Sequence, residues 1–483
     1  MVFSSPLFLF LFLPVALTVY VLLPGLKARN AWLLLASIAF YAWGELGFVF
    51  LLLGSTVMNY GLGVWVERRQ ELHQRKFAVA VAILLNVGLL AFFKYANFAV
   101  ASLNALLHAC GLGTVRAPEI PLPIGISFFT FHALSYVVDI YRRNWRAAEQ
   151  RTDVALYIFF FPQLIAGPIL RWKAIGPQLG QRTLTRDGFA EGIRRFAGGL
   201  AKKVLIANTV ALPADQIFAL PASELSASVA WLGIACYTLQ IYFDFSGYSD
   251  MAVGMGKMFG FSFLENFQFP YVAQSVRDFW RRWHISLSSW FRDYVYIPLG
   301  GSRGSRGRTC LNLVIVFFLC GLWHGASLTF VAWGLYHGLF LALERTRFGQ
   351  WQAKLPRILR HAYVVLAVMA GWVIFRANTF PAAADYFRAL SGITHAPFAP
   401  AVQLYLTGQV ICALALGIAF SGPLWDAIQS TTAKAGRAAP AALRPLLQAT
   451  GSAAETCLVV ASLVVSSAWL AGGTYNPFIY FRF

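Results

Sequence analysis

The sequence predicts an all-α integral membrane protein, and three observations carry that expectation. Only 12% of the 483 residues are charged and 58% are apolar, whereas a soluble domain carries roughly 25% charge. Long apolar stretches alternate with Lys/Arg clusters along the whole chain. One stretch, from Thr309 to Ala342, has no formal charge at all. The 39 basic residues exceed the 20 acidic ones, giving +19. On so apolar a chain this excess marks cytoplasmic loops rather than a nucleic-acid surface. Disordered chains, fibres and ordinary cytosolic enzymes are excluded. Six scattered cysteines form no CxxC pair, so neither a disulfide framework nor a metal site is indicated.

The first apolar run, Pro6 to Pro24, has its positive charge (Lys27, Arg29) after it rather than before. A cleaved signal has the opposite order. The run therefore reads as a retained span with its N-terminus outside and Lys27 and Arg29 inside. Further stretches near 31–66, 77–93, 121–141, 152–170, 204–221, 228–257, 309–344, 361–377, 402–424 and 455–471 can each enter a bilayer. The 31–66 stretch is long enough for two spans, with a break expected at Gly44-Glu45-Leu46-Gly47. Placing every basic cluster in the cytoplasm makes 152–170 and 309–344 return to the side they entered from. About eleven spanning helices plus re-entrant pieces follow. The Ala-rich stretch 433–449 reads as a loop, and residues 1–483 as one membrane-embedded domain.

Polar residues inside apolar surroundings are costly and need a reason. Residues Gln240 to Asp250 place Asp244, Asp250 and several hydroxyls within a span. A broken or water-lined helix would tolerate them, and so would hydrogen bonding between helices. Next comes a segment mixing Arg, Trp and Tyr from Arg277 to Tyr294, as at a membrane–water boundary. Asp278 and Arg282 are spaced to pair on one helical face, while His284 and Ser288 share another.

The uncharged stretch gives the sharpest geometry. Thr309 to Glu344 as one helix would be about 54 Å long, against a hydrocarbon core of roughly 30 Å. Arg308 and Arg345 flank it, so the chain is expected to enter, turn at Gly325-Ala326-Ser327 and return. A limb from Thr309 to Trp323 is about 22 Å long, which leaves His324 within the membrane thickness. His337 lies on the returning limb, with Glu344 two turns further on the same face. His132, with Asp139 two turns on, stays an open candidate. The remaining histidines (His73, His108, His361, His395) sit at loop or span edges and read as structural.

At these residues the chain resembles the bacterial membrane-bound O-acyltransferase (MBOAT) family. The resemblance rests on Arg281-Arg282-Trp283-His284-Ile285-Ser286-Leu287-Ser288 running on to Tyr294, and on Gly321-Leu322-Trp323-His324-Gly325-Ala326. Tyr242 to Met251, Ile165-Ala166-Gly167-Pro168, the opening Met1 to Ser5 and the closing Asn476 to Phe481 also match. Within the family it is most similar to the subgroup that O-acetylates alginate. The match runs to about residue 345 and resumes at the tail; 346–470 is similar mainly in hydropathy.

The resemblance implies a ring of tilted helices around a thin centre, reached by a cytoplasmic funnel. It implies a catalytic core at about 120–345, with peripheral helices at 361–471. It makes His324 the catalytic histidine and His284 its partner. Arg281, Arg282, Trp283, Ser288, Asp244 and Trp323 are expected to bind the donor or support the site. Acetyl-CoA would be the donor substrate, with no bound cofactor and no metal. CoA phosphates would be met by Arg281, Arg282, Arg292, Lys202 and Lys203. His324 would act as general base or become acylated. The acetyl group would pass to a periplasmic partner with a nucleophilic serine, since this chain has no Gly-x-Ser-x-Gly elbow. The competing expectations are a transporter or flippase of an acylated glycan or lipid, a secretion scaffold, and acetylation of cellulose or another glycan.

Overall fold

A computed structural model describes residues 1–394, 396–438, 440–473 and 475–478. His395 and the end of the closing motif, 479–481, lie outside the described residues. The described elements are helices, and they pack as two compact units, Met1–Ile193 with Ala252–Leu264 and Arg194–Met251 with Glu265–Phe483.

The first unit opens with α1 (Phe8–Leu22), α2 (Gly25–Arg68) and α3 (Leu72–Ala109). Glu45 inside α2 has non-helical angles (φ −142°, ψ 51°), so the long stretch breaks where the glycines predict. Helix α3 outruns the expected 77–93 by a turn at one end and four at the other, because Lys94, Asn97 and Asn104 are all tolerated within it. Asn97 and Asn104 each exchange hydrogen bonds with the backbone of the following loop, at Ile120 and Val115. Next come α4 (Ile126–Tyr141) and α5 (Arg151–Phe159), with α5 ending at Phe160 (φ −48°, ψ 108°) ahead of a single turn at Phe161–Leu164. The 152–170 stretch is thus folded back on itself, not a continuous helix. Helix α6 (Trp172–Gly180) precedes α7 (Arg186–Ala201).

The chain then continues through a wide π turn, Lys202–Ala207, into α8 (Asn208–Phe218). Helix α9 (Ala227–Met258) is continuous, so of the two readings left open for Asp244 and Asp250, polar bonding between elements holds and a broken span does not. Its two carboxylates are matched by cations instead of by a break. Asp244 pairs with Lys203 at 2.7 Å, and Asp250 with Arg195 and Lys202 at 2.8 and 2.7 Å.

Two short helices follow, α10 (Val276–Arg282) and α11 (Ile285–Phe291), and then the hairpin α12 (Arg306–His324) and α13 (Leu328–Leu343). The hairpin turns at the expected Gly325-Ala326-Ser327, with Ser327 accepting from the Thr329 N–H to cap α13. Its limbs approach through glycines. A Cβ at Gly321 would stand 2.4 Å from the Phe330 carbonyl oxygen, and one at Gly334 2.2 Å from that of Phe317. Small residues permit such close backbone packing where no water drives helices together.

The chain finishes with α14 (Arg347–Lys354), α15 (Arg357–Arg376), α16 (Phe380–Leu390), α17 (Gly408–Phe420), α18 (Leu424–Ala438) and α19 (Arg444–Ala471). The expected loop at 433–449 shrinks to the few residues between α18 and α19. Alanine favours helix, and Pro445 falls in the first turn of α19, where a missing N–H costs nothing. Among the described residues α2, α3, α12, α15 and α19 are long and apolar enough to cross a membrane. The bent pair α17–α18 makes a sixth if it is counted as one span.

Candidate active site

The site in the second unit starts from a kink. Helix α10 is capped at its N-terminus by the Ser275 hydroxyl, which accepts from the Asp278 N–H at 3.0 Å. The Glu344 carboxylate, from the far end of the hairpin, also accepts from the Val276 and Arg277 N–H groups at 2.6 and 3.0 Å. Glu344 therefore anchors α10 and is not the partner of His337. The predicted Asp278–Arg282 pair forms at 2.9 Å. Arg282 also donates to the Gln268 carbonyl, so its guanidinium is committed locally.

Between α10 and α11, Trp283 is extended and His284 takes a left-handed conformation (φ 45°, ψ 54°). A non-glycine residue there costs about 1–3 kcal/mol unless its surroundings impose it. Asn266 imposes it. Its carbonyl accepts from the Ile285 N–H at 2.9 Å, and its side-chain oxygen accepts from the Ser286 N–H and hydroxyl. Its amide nitrogen donates to the Ser249 hydroxyl at 3.0 Å. Sequence reasoning missed Asn266, because nothing local ties it to a histidine 18 residues later. Asn266→Ala removes the side-chain half of that support, keeping only the main-chain bond to Ile285, and is expected to cost about 1–3 kcal/mol. A lowered thermal midpoint in detergent, with activity falling in parallel, is the check.

The turn places the His284 ring, fully buried, edge-on to Phe245 at 4.6 Å between centroids. His324 is the last residue of α12 and 9% exposed. Its ring lies 4.9 Å from Trp323, 5.0 Å from Trp333 and 5.2 Å from Phe375. The His284 ring lies 6.1 Å from that same Trp323. The two predicted catalytic histidines, 40 residues apart in sequence, thus both neighbour one indole.

A cavity of about 340 Å³ runs along α10, α11 and the hairpin. Four exposed arginines, Arg277, Arg281, Arg292 and Arg345, stand on its wall with Ser288. The part of its lining that α12 supplies is apolar: Leu313, Val316, Phe317 and Cys320. Cys320 is one helical turn before His324, so the cavity ends a turn away from that imidazole on one face of α12. Such a space suits a ligand with phosphates at one end and an apolar arm at the other.

The other predicted residues are spread differently. Trp283 packs among Phe267, Phe279 and Trp372. Lys203 is 1% exposed and bound to Asp244, to Asn208 at 2.9 Å and to the Pro477 carbonyl. It is therefore not on a solvent-facing wall for phosphates, and Lys202 is engaged by Asp250. The tail enters the same network, with Asn208 donating to Asn476 at 3.0 Å and Phe478 packing on Tyr248. In the first unit His132 is fully buried beside Tyr157, while the Asp139 carboxylate accepts from the Lys173 and Asn144 nitrogens.

The chain as a whole matches a known class. Residues 150–379 match the MBOAT, membrane-bound O-acyltransferase family. The chain is 42% identical, over the full length of both, to the probable alginate O-acetylase AlgI of Pseudomonas putida. It is 36% identical to the peptidoglycan O-acetyltransferase of Helicobacter pylori, across 81% of this chain and 80% of that one. A teichoic acid D-alanyltransferase from Bacillus subtilis is 30% identical over 48% of this chain and 60% of its own. The chain belongs to the membrane-bound O-acyltransferase family and is a multi-pass membrane enzyme. The likeness extends through 346–470, beyond what the sequence motifs alone indicated.

Proposed function

We propose that this chain takes acetyl groups from cytoplasmic acetyl-CoA and delivers them across the bacterial inner membrane for O-acetylation of an exported polysaccharide, alginate. The relatives' names support the acetyl group and the polymer. The observation that carries the reading is the arginine-walled cavity ending one turn from His324. Arg277, Arg281, Arg292 and Arg345 would hold the CoA phosphates, and the apolar wall would guide the thioester inward. His324 would take the proton of an acceptor hydroxyl as its oxygen attacks the thioester carbonyl carbon. The carbon–sulfur bond then breaks and the proton passes to the departing thiolate. His284 would support His324 through the shared Trp323. Asp244, held by Lys203, would act indirectly by fixing α9, whose Phe245 packs on His284.

The finer architecture belongs to the same reading. Residues 1–483 act as one membrane domain, a ring of about eleven helices around a funnel, with the N-terminus periplasmic. The charge order after α1 supports that orientation. A periplasmic protein with a nucleophilic serine finishes the transfer.

The test is labelled acetyl-CoA supplied to the cytoplasmic face of sealed membrane vesicles. Label should leave CoA and reach polymer only when the partner and alginate are present on the opposite face. A flippase would leave acetyl-CoA unconsumed while still moving acetylated glycan, and that result would sink the reading. Label appearing on another glycan would replace alginate but keep the chemistry.

A further inference from the structure

Three buried polar rings, one of them against His324, have no place in the mechanism so far. Trp280 comes from α10, and Trp333 and His337 from one face of α13. They touch one another in a triangle: Trp280–His337 5.1 Å, Trp333–His337 5.2 Å and Trp280–Trp333 5.7 Å between centroids. Among the described residues, the Nε1 of each indole and both His337 nitrogens are buried without a hydrogen-bond partner. Gly371 of α15 makes room for the imidazole, since a Cβ there would stand 2.7 Å from the His337 Nε2.

A buried donor left unpaired costs about 1–3 kcal/mol, and three such rings in mutual contact concentrate that cost in one place. The count of donors says what could relieve it. Each indole only donates, and a neutral imidazole has one donor and one acceptor. The triangle therefore offers three donors against one acceptor, and protonating His337 only adds a fourth. The surplus fits an oxygen acceptor and excludes a cation. The position narrows the guest further. Trp280 also lines the arginine cavity, and the Trp333 ring lies 5.0 Å from His324. Of the two indoles in mutual contact, one therefore borders the cavity and the other borders that histidine.

We propose that the indole N–H groups of Trp280 and Trp333 receive the acyl carbonyl oxygen as it becomes negatively charged, with His337 as the positioning residue that holds them. This rests on the acyl-transfer reading above. When the acceptor oxygen attacks the carbonyl carbon, the C=O electron pair moves onto oxygen. The N–H donors stabilise that charge in a water-poor site. The pair returns as the carbon–sulfur bond breaks, and the sulfur leaves with the proton His324 had taken.

The test uses the full chain in membranes with labelled acetyl-CoA. Trp333→Phe and Trp280→Phe keep an aromatic ring but remove the N–H. Each should lower kcat by about 10²–10³, with the donor KM within a factor of about three. Where phenylalanine loosens packing, benzothienylalanine at 333 keeps the shape of tryptophan and lacks only the N–H. A folded protein with benzothienylalanine at 333 and wild-type kcat overturns the proposal, provided transfer still requires His324. If wild type transfers nothing from acetyl-CoA, or His324→Gln transfers as fast as wild type, the acyl-transfer reading falls and takes this proposal with it.

Discussion

His324→Gln is expected to abolish most acetyl transfer while leaving the protein folded. Glutamine keeps a hydrogen-bonding side chain of similar reach but cannot accept a proton at neutral pH. General-base catalysis is worth about 10²–10⁴ in rate, or about 3–5 kcal/mol of barrier. The loss should fall on kcat, because the arginine wall that would hold the donor is untouched and its KM should stay near wild type. Stability should change little, since His324 ends α12 and the hairpin is held by its glycine contacts and the Ser327 cap. Rapid-mixing kinetics without acceptor separate the two chemical routes. A burst of about one free CoA per wild-type chain, absent from His324→Gln, means an acyl-histidine; no burst means direct attack. His284→Asn is the companion variant. Asparagine tolerates the left-handed backbone, so the turn survives and any loss reports the imidazole itself. A His324→Gln protein that retains a tenth or more of wild-type kcat removes His324 from the chemistry.

What the sequence discloses depends on how far apart the interacting residues lie. The hairpin is legible because Arg308 and Arg345 bracket a stretch too long for one crossing and too apolar for water. The break at Glu45 is legible from its flanking glycines, and the Asp278–Arg282 pair from its i,i+4 spacing. All three are local rules. Long-range partnerships leave no such mark. Glu344 caps α10 from 67 and 68 residues away, though its spacing from His337 points elsewhere. Asn266 fixes the His284 turn from a loop with no regular periodicity. Asp244 and Asp250 leave a broken helix and bonding between helices equally open, because the cations that pair with them come from α7 and the π turn after it. The Trp280–Trp333–His337 triangle is half legible: Trp333 and His337 are one turn apart, but only the fold brings Trp280 to them.

Lys203→Met is expected to be the most destabilising single change in the second unit. The Lys203 ammonium is 1% exposed and sits 2.7 Å from Asp244, which is equally buried. Removing one partner of a buried pair strands the other charge, at about 3–5 kcal/mol. Methionine nearly matches the volume, so the loss is electrostatic rather than a cavity. The same ammonium also holds Asn208 and the Pro477 carbonyl, which tie down Asn476 to Phe478. The amide hydrogens of Asn476 and Phe478 should therefore exchange faster in the variant than in wild type. The double change Lys203→Met with Asp244→Leu removes both charges, and apolar replacement of a buried pair is often neutral or stabilising. Its midpoint should lie above that of Lys203→Met alone, a non-additivity that packing loss does not produce. Activity should follow α9, because Phe245, next to Asp244, is the ring against which His284 packs. A Lys203→Met protein that melts within a degree of wild type, with Asn476 and Phe478 exchanging no faster, would show that this buried pair holds neither the helix nor that segment.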